Sequence, residues 1–279
     1  MSQLIRMRQR IKAIRTIKKI THALRLISMS GHLRLRSKKN GIEEYRQQIA
    51  SIFLPLYAKQ PDWKHPLLSA KRINASQLAI LIGSQKGLCG NFNTQGFAFF
   101  EKSIKNKEQL DLITIGKKAH EYARHTNNKI IQHYDVFSIT NADTICREVT
   151  EYIIKTAGSY SQVMVYSTFS KSFFVQKPQA IQLIPFEVKN TETAKALDEY
   201  VWEQSPYDLL PYLIEQMVYI TLYDLMFQSL IAEQAARFIA MDNSTRSAGK
   251  LLDSMRLTYN KMRQSKITAE LTDLVGGFF

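Results

Sequence analysis

Cysteine is nearly missing from this chain, with Cys89 and Cys146 the two examples in 279 residues. That is too few for a secreted disulfide framework or a thiolate zinc site, and without a C-x-x-C both read as buried thiols in a reducing compartment. No apolar run approaches the roughly 18 residues that a membrane-spanning helix needs. Proline is absent before Pro55 and after Pro211, and between Pro211 and Gly276 the one glycine is Gly249. Long helices at both ends are therefore permitted. Acidic residues are absent from positions 1–40, which hold 12 Lys/Arg, whereas the rest of the chain holds 26 basic against 24 acidic residues. Almost the whole net charge of +14 sits on one N-terminal segment.

Those cations interleave with Leu4, Met7, Ile11, Ile14, Ile17, Ile20, Leu24 and Ile27 at spacings of three and four, the pattern of a basic amphipathic helix. Such a segment can be a solvated face, a transit peptide, a nucleic-acid arm or a helix held inside an acidic partner. It is poor in Ser and continues with helical period to about Ile52, unlike a transit peptide. Its first aromatic residue is Tyr45, so a nucleic-acid arm finds no stacking residues.

The N-terminal pattern predicts a helix from near Ser2 to near Leu54, about 78 Å long at ~1.5 Å per residue. Ser205-Pro206-Tyr207-Asp208 carries the cap, first-turn proline and acid of a helix start, and Pro211 is expected to open a second, longer helix. Ala248, Leu252, Met255, Tyr259 and Met262 then repeat as a heptad seam. Two narrow apolar stripes of this length bury each other best as an antiparallel coiled coil.

Between them, strands are predicted at Gln77–Ile82, Leu110–Ile115, Lys129–Tyr134, Gln162–Phe169 and Ala180–Val188. Helices are predicted at Gly96–Lys105, Lys117–Arg124 and Ala142–Thr156. This alternation indicates an α/β domain with a mostly parallel sheet. The expected division is residues 1–58 as N-terminal coiled-coil helix, 59–74 as linker, 75–190 as α/β domain and 191–279 as C-terminal coiled-coil helix.

Catalytic chemistry finds no foothold in the spacing. The loop Gly83-Ser84-Gln85-Lys86-Gly87-Leu88-Cys89-Gly90-Asn91 follows a strand but matches neither a P-loop nor G-x-G-x-x-G, and reads as a tight turn. Among the six histidines only His120 and His125 are close in sequence, and five positions place them on different helix faces. No metal, cofactor or catalytic set follows. The residues alone describe a binding or mechanical protein built on a rod.

The C-terminal run from Ser229 through Arg237, Met241-Asp242-Asn243 and Thr245, then Leu257-Thr258-Tyr259-Asn260 to Gly276, closely resembles the signature of the gamma subunit of F-type ATP synthases. Lys19-Ile20-Thr21-His22-Ala23-Leu24 is similar to that family's opening helix, and Gly87 to Asn93 to its glycine loop. The resemblance implies a central rotor shaft: an antiparallel coiled coil inside a hexamer of alternating alpha and beta subunits, with a small Rossmann-like α/β domain outside. Rotation driven by ion flow would change which beta subunit is held open, and gamma itself would catalyse nothing. It further implies that Arg263, Gln264, Thr268 and Glu270 meet the beta catch loops, with Arg237, Leu24, Lys18 and Lys19 as further beta contacts. The implied partners are the alpha and beta subunits, the epsilon subunit and the membrane c-ring, without nucleic acid or cofactor. The implied place is peripheral, on the cytoplasmic face of a bacterial inner membrane, with the matrix side of a mitochondrial membrane as the second choice. The other reading is a free basic coiled coil that binds nucleic acid or anionic lipid. Leu24, the stretch Ile27 to Gly31, and Gln85-Lys86 depart from the family pattern, and an apparent extra residue before Leu33 would turn the following face by roughly 100° unless a bulge absorbed it. The cysteine-bearing insert of chloroplast forms is missing, which argues against thiol switching.

Overall fold

The computed structural model describes residues 3–60, 62–68, 76–104, 110–126, 128–156, 158–186 and 205–276. In chain order the elements are α1 (Gln3–Ala58), β1 (Ser76–Ile82), α2 (Phe92–Ser103), β2 (Leu110–Ile115) and α3 (Lys117–His125), followed by β3 (Lys129–Tyr134), α4 (Ala142–Thr156), β4 (Tyr160–Ser172), β5 (Val175–Ile184) and α5 (Pro206–Gly276). They form two compact units. The central unit is Gly31–Ala236; the terminal unit takes the chain up to Ser30 and from Arg237 onward.

The central unit holds one sheet in the order β3-β2-β1-β4-β5, parallel except for the β4–β5 hairpin. β2 is buried along its whole length and β1 from Leu78 onward, because both of their faces are covered. On one face Leu78, Ile80, Ile113 and Val165 meet Ile145, Val149 and Ile153 of α4, together with Phe53 of α1 and Val218 and Phe227 of α5. On the other, Ala79, Leu81 and Leu112 meet Phe100 of α2 and Ala119 and Ala123 of α3. The mostly parallel α/β domain is thus present. Trp63 and Leu67, in the stretch expected as linker, are buried in the first of these cores, and the Phe186 backbone N–H donates to the Leu67 carbonyl at 2.8 Å.

Several boundaries differ from expectation for local reasons. α2 starts four residues early, at Phe92, directly behind the glycine loop. β4 and β5 run toward each other to a tight turn at Phe173-Phe174, extending both beyond their apolar cores. Pro178 is tolerated inside β5 because that strand is at the sheet edge. The strand ends at Ile184, since Pro185 offers no N–H to continue it; the expected extension to Val188 lies partly outside the described residues.

Pro211 does not start a second helix. α5 is continuous from Pro206, with the Ser205 hydroxyl accepting the Tyr207 N–H at 3.3 Å and the Ser205 carbonyl accepting from Asp208 at 3.0 Å. Pro211 falls in the second turn, where it removes one helical donor close to an end that already lacks several. Likewise α1 passes through Pro55 to Ala58.

The terminal unit is an antiparallel helix pair. Arg8 Nη2 donates to Tyr259 Oη at 3.1 Å, Thr245 Oγ1 donates to Thr21 Oγ1 at 2.8 Å, and Arg25 Nη1 donates to Asp242 Oδ1 at 2.7 Å. As the α1 number rises, the α5 number falls by nearly the same step. That constancy is the signature of a single register.

Candidate interaction surface of the terminal helix pair

The expected α5 seam is real: Ala248 and Leu252 are buried and Met255, Tyr259 and Met262 half-buried. The α1 seam follows a different path from the apolar stripe. Leu4, Met7, Ile11 and Ile14 are half-buried, but Ile17, Ile20 and Ile27 are exposed at 47%, 53% and 66%. Three successive steps of three residues each fall about 60° short of a full turn, so the apolar stripe winds off the interface. An alternating spacing of three and four passes instead through Lys18, Thr21, Arg25, Ser28, His32 and Leu35. Of these, Thr21, Ser28, His32 and Leu35 are buried. The three-and-four spacing of these positions continues beyond Gly31 and α1 is α-helical throughout, so no bulge absorbs an extra residue there.

Polar residues at those positions require partners, and they have them. Thr21 and Thr245 share a buried hydroxyl contact, and the Met241 carbonyl, 2.7 Å from Thr245 Oγ1, is an alternative acceptor for the one Thr245 hydroxyl proton. Arg25 and Arg246 both hold Asp242, at 2.7 and 3.0 Å. The hydrogen bond from Arg25, with Arg246 nearby, keeps the Asp242 carboxyl below its usual range. The stability that this carboxylate contributes is present at neutral pH and is lost in acid, as pH falls through its lowered value.

The eight expected contact residues fall into distinct environments. Arg263, Gln264, Thr268 and Glu270 are exposed on α5. Thr268 donates to the Gln264 carbonyl at 3.0 Å, and Glu270 pairs with Lys266 at 3.3 Å. Since Arg8 lies opposite Tyr259, Gln3 comes level with about residue 264, and Gln3 and Leu4 line one groove with Lys261, Met262, Ser265, Lys266 and Ala269 of α5. Lys19 is exposed, whereas Lys18 lies over the seam, its Nζ 3.2 Å from where a Cβ at Gly249 would stand. Leu24 and Arg237 are half-buried, Leu24 in the terminal helix pair and Arg237 at its α5 start.

The glycine loop uses its polar groups on itself. Asn93 Oδ1 accepts the Ser84 N–H at 3.0 Å, Asn93 Nδ2 donates to Ser84 Oγ at 2.7 Å, and Ser84 Oγ donates to the Lys86 carbonyl at 2.8 Å. Cys89 and Phe92 pack on Ala232 and Ala236 of α5. Leu88 is the feature that sequence reasoning missed: it has φ of 64° and is 62% exposed. A branched side chain held at positive φ is costly, and no sequence signal marked it. Burial pushes the Cys146 thiol upward, as expected of an inert buried cysteine.

The ATP synthase family model matches residues 3–279, and the ATP synthase gamma chain of Christiangramia forsetii is 31% identical, over 99% of this chain and 98% of that one. The chain belongs to the ATP synthase gamma-subunit family. The gamma chain of Pelotomaculum thermopropionicum is 30% identical, covering 97% of this chain and 96% of its own. The fold matches a chain in the Euglena gracilis mitochondrial ATP synthase OSCP/F1/c-ring structure with a TM-score of 0.68 at 15% identity, covering 99% of this chain and 93% of that one. A second match, in the rotor of the same enzyme, has a TM-score of 0.65 at 14% identity over 95% of this chain and 98% of that one. As a gamma-family chain it is a non-catalytic part of the central stalk of a rotary ATP synthase. No helix among the described residues is long and apolar enough to cross a membrane.

Proposed function

We propose that this chain is the shaft through which ion flow across a membrane is coupled to ATP synthesis or hydrolysis in surrounding alpha and beta subunits, with the epsilon subunit and the c-ring as its partners at the membrane side. The placement that fits is peripheral, on the cytoplasmic face of a bacterial inner membrane. The observation that carries the reading is the outer surface of the terminal unit. Ile17, Ile20, Ile27, Leu257, Ile267, Leu271 and Leu274 are all 47% to 66% exposed among cations. So many large apolar side chains on one helix pair call for a covering partner.

The cations suit acidic partner loops. Exposed pairs contribute only about 0 to 1 kcal/mol each, so they attract without locking and can be exchanged as a shaft turns. The two helices present different residues around the circumference, so surrounding beta subunits meet unlike surfaces. Only contacts that differ between open and closed beta states can do work on nucleotide.

Arg263 and Gln264 are the residues assigned here to the beta catch loops, with Thr268 and Glu270 beside them and Arg237, Leu24, Lys18 and Lys19 along the shaft. A hydrogen bond to a charged group contributes about 1.5 to 3 kcal/mol. Replacing Arg263 and Gln264 by Ala should therefore change ATP hydrolysis and ion pumping several-fold in the assembled complex. Helix content and complex yield should stay near normal, because both side chains are exposed. Unchanged hydrolysis, pumping and synthesis would remove these two residues from the contact. The purified chain alone should hydrolyse no ATP, and turnover surviving rigorous removal of alpha and beta subunits would overturn the proposal.

A further inference from the structure

On the edge of the sheet, His120 of α3 converges with His133 and Asp135, two residues apart at the end of β3. His120 projects from the first turns of α3, His133 from edge strand β3, and Asp135 follows that strand directly. One ring nitrogen from each histidine and a carboxylate oxygen of Asp135 all lie within 4.8 Å of one another. The two imidazole centroids are 4.2 Å apart, with ring planes inclined at 41°. His120 Nδ1 is shut off from solvent and has no hydrogen-bond partner among the described residues.

The backbone beneath is tied together independently of these side chains. The Gly116 N–H donates to the Tyr134 carbonyl at 2.7 Å and the Lys117 N–H to the Asp135 carbonyl at 3.1 Å, while the His120 N–H reaches Gly116 at 3.2 Å. These bonds fix the start of α3 against the end of β3. The ligand-bearing positions are thus set by the fold, and the side chains complete the arrangement.

We propose that His120, His133 and Asp135 bind one zinc-class divalent cation, with water in the fourth position, and that the ion clips α3 to the edge strand. Two imidazoles and one carboxylate suit zinc, cobalt or nickel, whereas magnesium and calcium prefer all-oxygen sets. Tetrahedral bonds of about 2.0–2.1 Å place ligand atoms roughly 3.3 Å apart. The present spacing closes to that by side-chain rotation of His133 and Asp135, both of which are exposed. The inference does not depend on the rotor reading, since it concerns the edge of the central unit alone.

The test uses the full chain, stripped with a chelator and titrated with Zn²⁺ against a chromophoric competitor, and with Co²⁺ followed by its visible absorption. One equivalent should bind with micromolar or tighter affinity, with a tetrahedral cobalt spectrum. His133→Ala and Asp135→Asn should each weaken binding by about tenfold or more. His125→Ala, an exposed histidine of the same helix, should leave it unchanged. Because His133 and Asp135 are exposed, circular dichroism should show both variants folded. Absence of binding at ~1 mM metal, or cobalt spectra and affinities indifferent to His133 and Asp135, would overturn the site.

Discussion

Substituting Gly116 by Ala should destabilise the central unit by on the order of 3 kcal/mol or more. Gly116 has φ of 95°, a region that side chains with a Cβ rarely enter. A Cβ there would lie 2.2 Å from the Gly83 carbonyl oxygen and 2.8 Å from the Gly83 carbonyl carbon. These are backbone atoms, so no rotamer change relieves the overlap. Gly83 cannot withdraw easily, because its N–H donates to the Ile115 carbonyl at 2.8 Å, and Gly116 is itself bonded to Tyr134. Relief requires opening the ends of β1, β2 and β3 together. The thermal midpoint should fall by roughly 6–12 °C at this chain size. Gly41→Ala is the control of opposite sign: it sits inside α1 with nothing within 4 Å of the added carbon, and should stabilise by about 0.5–1 kcal/mol. Equal midpoints for Gly116→Ala and the parent chain would show that the strain is absent.

Much of the fold was legible from local pattern. β2, β3 and α4 occupy the residues that their apolar runs and boundaries predict, because each is bounded by turn or polar residues. The α5 seam was legible for the same reason. The α1 seam was not. It passes through Lys18, Thr21, Arg25 and Ser28, and its energetics depend on partners such as Asp242 and Thr245 more than two hundred positions away. A reading that follows apolar residues alone is drawn instead to Ile17 and Ile20, which face outward. The contacts of Arg263 and Gln264 came from resemblance, and the geometry adds that both are exposed on α5 near the level at which α1 begins. Leu88 and the His120, His133 and Asp135 group left no mark in spacing, since one depends on a backbone angle and the other on two elements meeting.

A disulfide placed across the terminal helix pair should form almost completely and leave rotation intact. Thr21 Oγ1 and Thr245 Oγ1 are 2.8 Å apart and both residues are buried, so Thr21→Cys with Thr245→Cys brings two sulfurs near the required ~2.05 Å with small rotamer changes. The native Cys89 and Cys146 are buried in the central unit and should not compete. Mild oxidation should give a faster-migrating, reductant-sensitive band in denaturing gels. Thr21→Cys with Ser254→Cys should not crosslink, because Ser254 is nine residues beyond Thr245, about 13 Å along the axis. The functional outcome follows from the same register. Arg8 on Tyr259, Thr21 on Thr245 and Arg25 on Asp242 hold the helices at three levels, so a shaft that turns as one body loses no motion when one level becomes covalent. In the assembled complex, oxidised and reduced forms should hydrolyse ATP at rates within about twofold of each other. Full crosslinking accompanied by loss of turnover would mean that α1 and α5 slide past one another during the cycle, and the hydrogen bonds between them would then be contacts of one rotary state instead of fixtures of the shaft.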